Sequence, residues 1–293
     1  MKTKYTLLLL LFSAAMRAQQ VPDTAFLAPI AHPTYESGRG SIVLVDAGHH
    51  NFHTIDGRYA PFARFLGRDG YRLESSETAI RPEALQHCKI FVISNPIAPS
   101  QSWNLPTASA FSGAEITVLN EWVKRGGRLL LIADHMPFAG SAENLAKSFG
   151  FEFANCFAMD NRRRSIERFY KENKTLLDNE LTAGIDTVVS FTGSAFRIPE
   201  GATGVLALNN YTLLFPDAAW DFTESTTVTD SKGYFQGAYM QYGKGKIVVM
   251  GEAAMFSAQL AGPEKARVGM NHPAARQNAQ FLLNIIHWLD QDR

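Results

Sequence analysis

From Ser41 onward the chain alternates short, continuously apolar runs with longer segments in which apolar residues recur every three to four positions. The runs SIVLVD (41–46), KIFVISN (89–95) and RLLLIAD (128–134) are rich in branched residues and have the length of strands buried on both faces. Between them lie helical patterns: RYAPFARFLGRDG (58–70), SGAEITVLNEWVKRGG (112–127) and SAENLAKSFGF (141–151). The second of these carries Ser112 as cap, Glu115 three residues later to complete a capping box, and a Gly126-Gly127 stop, and the third reads as capped as well. GAYMQYGKGKIVVMGE (237–252) reads as a hairpin turning at Gly243 to Gly245, and NAQFLLNIIHWLDQ (278–291) as an apolar terminal helix. Apolar strands separated by helices predict an α/β fold with a mostly parallel central sheet covered on both faces.

Residues 41–293 therefore form a single expected domain, with a less regular middle at about 151–214 that holds the basic run NRRRSIERFYKENK. That run reads as a solvated face before it reads as an anion grip. Residues 19–40, rich in Pro, Ala and Gly, form an extended lead-in. The first 18 residues have two early lysines, an apolar run from Leu7 to Phe12 and Ala18 at the cleavage point, the pattern of a signal peptide too short to span a bilayer. The expected location is periplasmic or secreted, with no membrane span after cleavage.

Composition changes this picture little: 46% of the 293 residues are apolar and 19% charged. Formal charge is zero, and losing Lys2, Lys4 and Arg17 with the signal peptide leaves 25 basic residues against 28 acidic ones. A mildly acidic chain offers no electrostatic basis for nucleic-acid binding. Cys88 and Cys156 are open to two readings, a disulfide or two buried thiols, and show no C-x-x-C spacing.

Candidate chemistry collects after the strands, where open α/β sheets bind ligands. DAGHHNFHT (46–54) supplies Asp46, His49, His50, Asn51 and His53, and the second strand supplies Ser94 and Asn95. ADHMPFAG supplies Asp134 and His135, GEAAMFSAQ supplies Glu252 and Gln259, and GMNHPAARQN supplies Asn271, His272 and Arg276. The expected catalytic group is His49, His53, Asp134, His135 and Glu252. Asn51, Asn95, Gln259, Asn271, His272 and Arg276 are expected to hold substrate, with His50 a bystander facing solvent and Asp46 a brace for its loop.

Two chemistries use such a set. His49, His53, His135 and Glu252 could ligate a divalent metal such as zinc, His49 and His53 being four apart. Alternatively a His and a carboxylate act as general base and acid without a metal, which the lack of an H-E-x-x-H motif favours. No G-x-S-x-G elbow or strand-exit cysteine provides a nucleophile.

The phrases VLVDAGHHNFHTIDGRYAPFARFLGRDGY, EWVKRGGRLLLIADHMPFAG, GKGKIVVMGEAAMFSAQ and QNAQFLLNIIHWL resemble the class I glutamine amidotransferase-like superfamily. Within it they look most like an exported bacterial group, with ThuA-like proteins more distant. The resemblance implies a flavodoxin-like three-layer sandwich. True amidotransferases carry a nucleophilic cysteine where this chain has Asp134-His135-Met136, so glutamine hydrolysis is not implied. The ThuA-like relatives imply a carbohydrate or similar polyhydroxylated small molecule as ligand. The expected function is a hydrolase or lyase on such a substrate, the alternative a non-catalytic module binding a sugar or a protein; oligomeric state is left open.

Overall fold

The computed structural model describes residues 20–161 and 166–292. The signal peptide expected at 1–18, and residues 162–165 within the basic run, lie outside them.

The sequence patterns fold where expected around the strands Ile42–Asp46, Ile90–Ser94 and Arg128–Ile132. With Arg72–Ser76 and Gly245–Met250 they pair side by side in parallel. Alternate residues of these strands face opposite sides. Val43, Val45, Val92, Leu130 and Ile132 pack with the helices Ala60–Arg68 and Asn278–Asp290, while Leu44, Phe91, Ile93, Leu129 and Leu131 pack toward Gly113–Lys124 and Phe138–Ser148. Burial on both faces explains why the runs are continuously apolar.

The capping box forms: Ser112 Oγ accepts from Glu115 N–H while the Glu115 carboxylate accepts from Ser112 N–H. The helix expected to begin with a cap at Ser141 instead starts at Phe138, after Pro137, without a side-chain cap. The hairpin forms with Phe235–Tyr242 antiparallel to Gly245–Met250.

The flavodoxin-like three-layer sandwich with a mostly parallel sheet is not what forms. The described residues contain sixteen strands and five α-helices, and the protein is mostly β. Beyond Gly245–Met250 the large sheet continues through Phe235–Tyr242, Gly193–Arg197, Glu152–Asp160, Tyr211–Phe215 and Thr227–Asp230, all antiparallel, with Thr203–Ala207 also paired to Phe235–Tyr242. The result is an eleven-stranded mixed sheet. The strands of the stretch at 151–214 mix polar with apolar residues, so no uninterrupted apolar run marks them. Long-range pairing, not local pattern, makes them strands.

The lead-in also pairs: Gln20–Pro22 joins Ala258–Ala261 and Ala266–Gly269 in a small antiparallel sheet. Its later part is tied to the terminal helix, where Tyr35 and Ser41 donate to Asp290 and the His287 ring meets Asp69 at 2.6 Å. Cys88 and Cys156 are free, buried thiols, both pushed up to about 12 by burial. No helix among the described residues is long and apolar enough to cross a membrane.

Candidate functional site

Parallel pairing of Ser94 with Ile132, and of Ile132 with Met250, lines up the residues that follow these strands on one edge of the sheet. Asp46, His49, His53, Asn95, Asp134, His135 and Glu252 are all buried there. They do not form one cluster. They divide into three neighbouring groups.

The first group closes the loop after Ile42–Asp46. Gly48 lets this loop pass under the 78 backbone, where an added Cβ would lie 2.6 Å from the Thr78 carbonyl oxygen. The Asp46 carboxylate accepts from Gly48 N–H, Asn51 Nδ2 and His49 Nδ1, so it braces its own loop. The other His49 nitrogen, Nε2, lies 3.0 Å from Glu115 Oε1. Burial opposes the charged imidazolium, but the two flanking carboxylates outweigh it and raise the His49 pKa.

The second group lies one strand over. Asn95, held in left-handed backbone at φ 48°, accepts from Asp134 N–H through Oδ1. Its Nδ2 therefore points at His53 Nδ1, 3.3 Å away, and more distantly at Asp134 Oδ2. With Nδ1 accepting, the neutral His53 ring carries its proton on Nε2, which is buried and finds no partner. Burial, with Arg58 nearby, drives its pKa down to about 3. The Glu252 carboxylate takes the N–H groups of Ala254 and Met255 at 2.8 Å each, capping a short 3₁₀ turn. Burial and then the nearby Asp134 charge raise the Glu252 pKa well above its usual value, and burial raises that of Asp134.

The third group is aromatic. His135 donates from Nδ1 to the Met136 carbonyl at 2.7 Å, which leaves Nε2 as its basic atom in the neutral form. Its ring stacks on Phe157 at 4.4 Å and meets the Trp220 ring edge-on at 4.7 Å. Ring contacts continue from Trp220 to Phe222 on one side, and from His135 through Phe138 to Phe52 and Trp103 on the other. Trp220 is 52% exposed and sits at φ 70°, a strained conformation for a bulky residue.

Beside this belt is a surface recess of about 380 Å³ lined by Ala47, His50, Asn51, Phe52, Arg58 and Gln101. His50, expected to be a bystander, is one wall. None of His49, His53, Asp134, His135 or Glu252 lines it.

Of the expected substrate ligands Asn51 lines the recess, while Gln259, Asn271, His272 and Arg276 do not. Asn51 is committed to its own loop, accepting from His49 N–H and donating to Asp46 and the Ser94 carbonyl. Asn271 donates to Asp23 and to the Gln259 carbonyl, and Gln259 to Ser257, within the small sheet. His272 packs against Phe191, and Arg276 is exposed. The tentative metal set of His49, His53, His135 and Glu252 is spread over all three groups, with both His49 nitrogens already facing carboxylates. Among the described residues no group of three or more His, Cys, Asp or Glu is disposed to hold a metal ion.

Sequence reasoning did not single out Arg58, Gln101, Trp103 or Phe222 for the site, nor Glu115 as the partner of His49. For Glu115 a signal existed, since a capping-box glutamate has a second oxygen to offer; which side chain would reach it depends on the fold.

No protein-family model matches the chain, and no curated protein matches it. Several solved structures are similar. The mmIFT52 N-terminal domain superposes with a TM-score of 0.62 at 17% identity, covering 85% of this chain and 97% of that one. A cytoplasmic protein from Salmonella typhimurium gives 0.52 at 12%, covering 86% and 99%. A ThuA-like protein from Bacteroides uniformis gives 0.48 at 11%, covering 89% and 95%. The first two share the fold, which does not fix function. The third, with a TM-score under 0.5, carries no argument.

Proposed function

We propose that this edge of the sheet binds a carbohydrate or related polyhydroxylated small molecule, in a protein exported by its first 18 residues. The observation that carries the reading is the half-exposed pair Trp220 and Phe222, backed by the buried rings of His135, Phe138 and Phe157 that lead to Phe52 beside the recess. Aromatic faces next to polar donors are the surface that hydroxylated rings need: apolar C–H faces stack on the rings while hydroxyls bond at the rim. Exposed tryptophan in strained backbone is costly to keep, and stacking on a ligand gives it a use.

Binding without turnover fits best, because the carboxylates at this edge are buried and committed to backbone N–H groups. A second reading, hydrolysis, is favoured by one observation: Asp134 and Glu252 are both raised toward their protonated forms, as general acids are.

Calorimetric titration of the purified protein with a panel of mono- and oligosaccharides tests the proposal. Covering one indole face removes on the order of 80 Å² of apolar surface, worth about 2 kcal/mol, so Trp220→Ala should weaken binding roughly thirtyfold. A glycan bound equally well by that variant sinks the platform. Reducing-end release abolished in Asp134→Asn and His135→Ala would move the reading to the hydrolase.

A further inference from the structure

The Arg58 guanidinium lies with Cζ 4.7 Å over the Phe52 ring, at the base of the recess and just ahead of the helix Ala60–Arg68. It forms no hydrogen bond and no ion pair with any described residue, although it is partly buried. A guanidinium has five N–H donors, and those of Arg58 are open to an acceptor arriving from solvent. The Asp134 charge acts on it, but the two form no ion pair. The recess walls add two further side chains that make no hydrogen bond among the described residues: His50 and Gln101, both exposed and both in left-handed backbone at φ 49°. Donors without a protein acceptor, one of them a positive charge over an aromatic ring, thus line an open recess of about 380 Å³.

We propose that the recess receives the carboxylate of an acidic sugar, a uronate, on the Arg58 guanidinium, with His50 and Gln101 bonding the neighbouring hydroxyls. This rests on the carbohydrate reading above and narrows it to an anionic sugar. The planar fork of arginine matches a carboxylate with two parallel hydrogen bonds, which a neutral hydroxymethyl group at the same ring carbon cannot supply. Burial shifts Asp134 behind it toward its neutral form, which lessens repulsion of the incoming anion. Phe52 keeps the guanidinium from collapsing onto the buried acids.

The test is a calorimetric comparison of glucuronate and galacturonate, and their short oligomers, with glucose, galactose and a sulfated galactose, at two salt concentrations. Expected are at least tenfold tighter binding of the uronate than of its neutral counterpart, and a preference that falls with salt. In Arg58→Gln the uronate preference over the neutral sugar should vanish, and Arg58→Lys should retain part of it. Thermal melting of each variant reports whether the fold survives, and the lysine variant keeps the charge if the glutamine variant unfolds. Equal binding of acidic and neutral sugars, a preference that survives Arg58→Gln, or selection of sulfate over carboxylate overturns the uronate assignment and leaves the carbohydrate reading standing. Absence of binding to any saccharide overturns both.

Discussion

Glu115→Gln isolates the clamp that holds the His49 loop. Each carboxylate oxygen of Glu115 serves two donors. Oε2 accepts from Ser112 N–H and Ser112 Oγ at 2.9 and 2.7 Å, while Oε1 accepts from Ile80 N–H at 3.0 Å and faces His49 Nε2 at 3.0 Å. A glutamine must turn its NH₂ toward one of these donor pairs, so either the cap or the loop contact is lost. Hydrogen bonds to a charged acceptor are worth roughly 1.5–3 kcal/mol each, and the serine hydroxyl can rotate to become an acceptor, so the net cost is about 2–3 kcal/mol. For a chain of this size that is a fall in Tm of about 4–6 °C.

The pH dependence has a sign as well. Burial alone would raise the Glu115 pKa, but hydrogen bonds from Ser112, His49 and Ile80 hold it at about 2. A depressed acid stabilises above its unfolded value of 4.5 and loses that contribution as pH falls toward 2. His49 is raised, so its contribution is complete below 6.5 and fades as pH rises through the folded value. The pair is therefore strongest between pH 4.5 and 6.5, where Glu115→Gln should cost most. Urea denaturation across pH, with NMR titration of His49, measures both effects. A Tm change below about 1 °C that does not vary with pH, with an unmoved His49 titration, refutes the clamp.

Glu167, buried and raised to about 8 chiefly by that burial, binds a proton in the fold that the unfolded chain releases near 4.5. Stability should therefore decline between those pH values, and Glu167→Gln should flatten the decline in denaturation measurements; an unchanged slope removes the argument. His49→Phe strands two carboxylates and should cost about 3 kcal/mol or more. His53→Phe replaces a ring with an orphaned nitrogen and should cost under about 1.5 kcal/mol; equal costs in urea titrations contradict the grouping. Cys88 and Cys156 should resist a thiol reagent in the native state and react on unfolding, and rapid native labelling of either would contradict their burial.

The strands after which the polar groups fall were legible because burial on both faces writes itself locally as an uninterrupted apolar run. The Ser112–Glu115 box was legible for the same reason: its partners are three residues apart. Of the antiparallel half only the hairpin into Gly245–Met250 was legible, since Glu152–Asp160 or Tyr211–Phe215 become strands only through partners far along the chain. The site was legible in its edge and not in its grouping. Spacing of four suggested a shared face for His49 and His53, but His50 takes φ 49° between them and the loop is not helical. The chain reverses there, sending His49 toward Glu115 and Phe111 and His53 toward Asn95 and Tyr59. Gln259 lies in a sheet completed by Gln20–Pro22 and Asn271 bonds to its Gln259 carbonyl, a pairing no local pattern announces.

Residue types suited to chemistry thus serve here first as joints between loops. Asp46 and Glu115 fix the first strand exit through His49, and Asn95 ties the second exit to the third through Asp134. Glu252 fastens the turn whose Ala253 carbonyl accepts from Tyr59, beside Arg58. Burying so many ionisable groups is expensive when apolar packing would hold the same loops more firmly. What apolar packing does not supply is direction: hydrogen bonds set the backbone of individual residues, including the left-handed turns at His50 and Asn95. Those turns position Phe52, Arg58 and the recess wall. If this edge binds the sugar proposed for it, the buried acids and histidines hold that surface in shape, and the groups that meet the ligand are the ones without a protein partner.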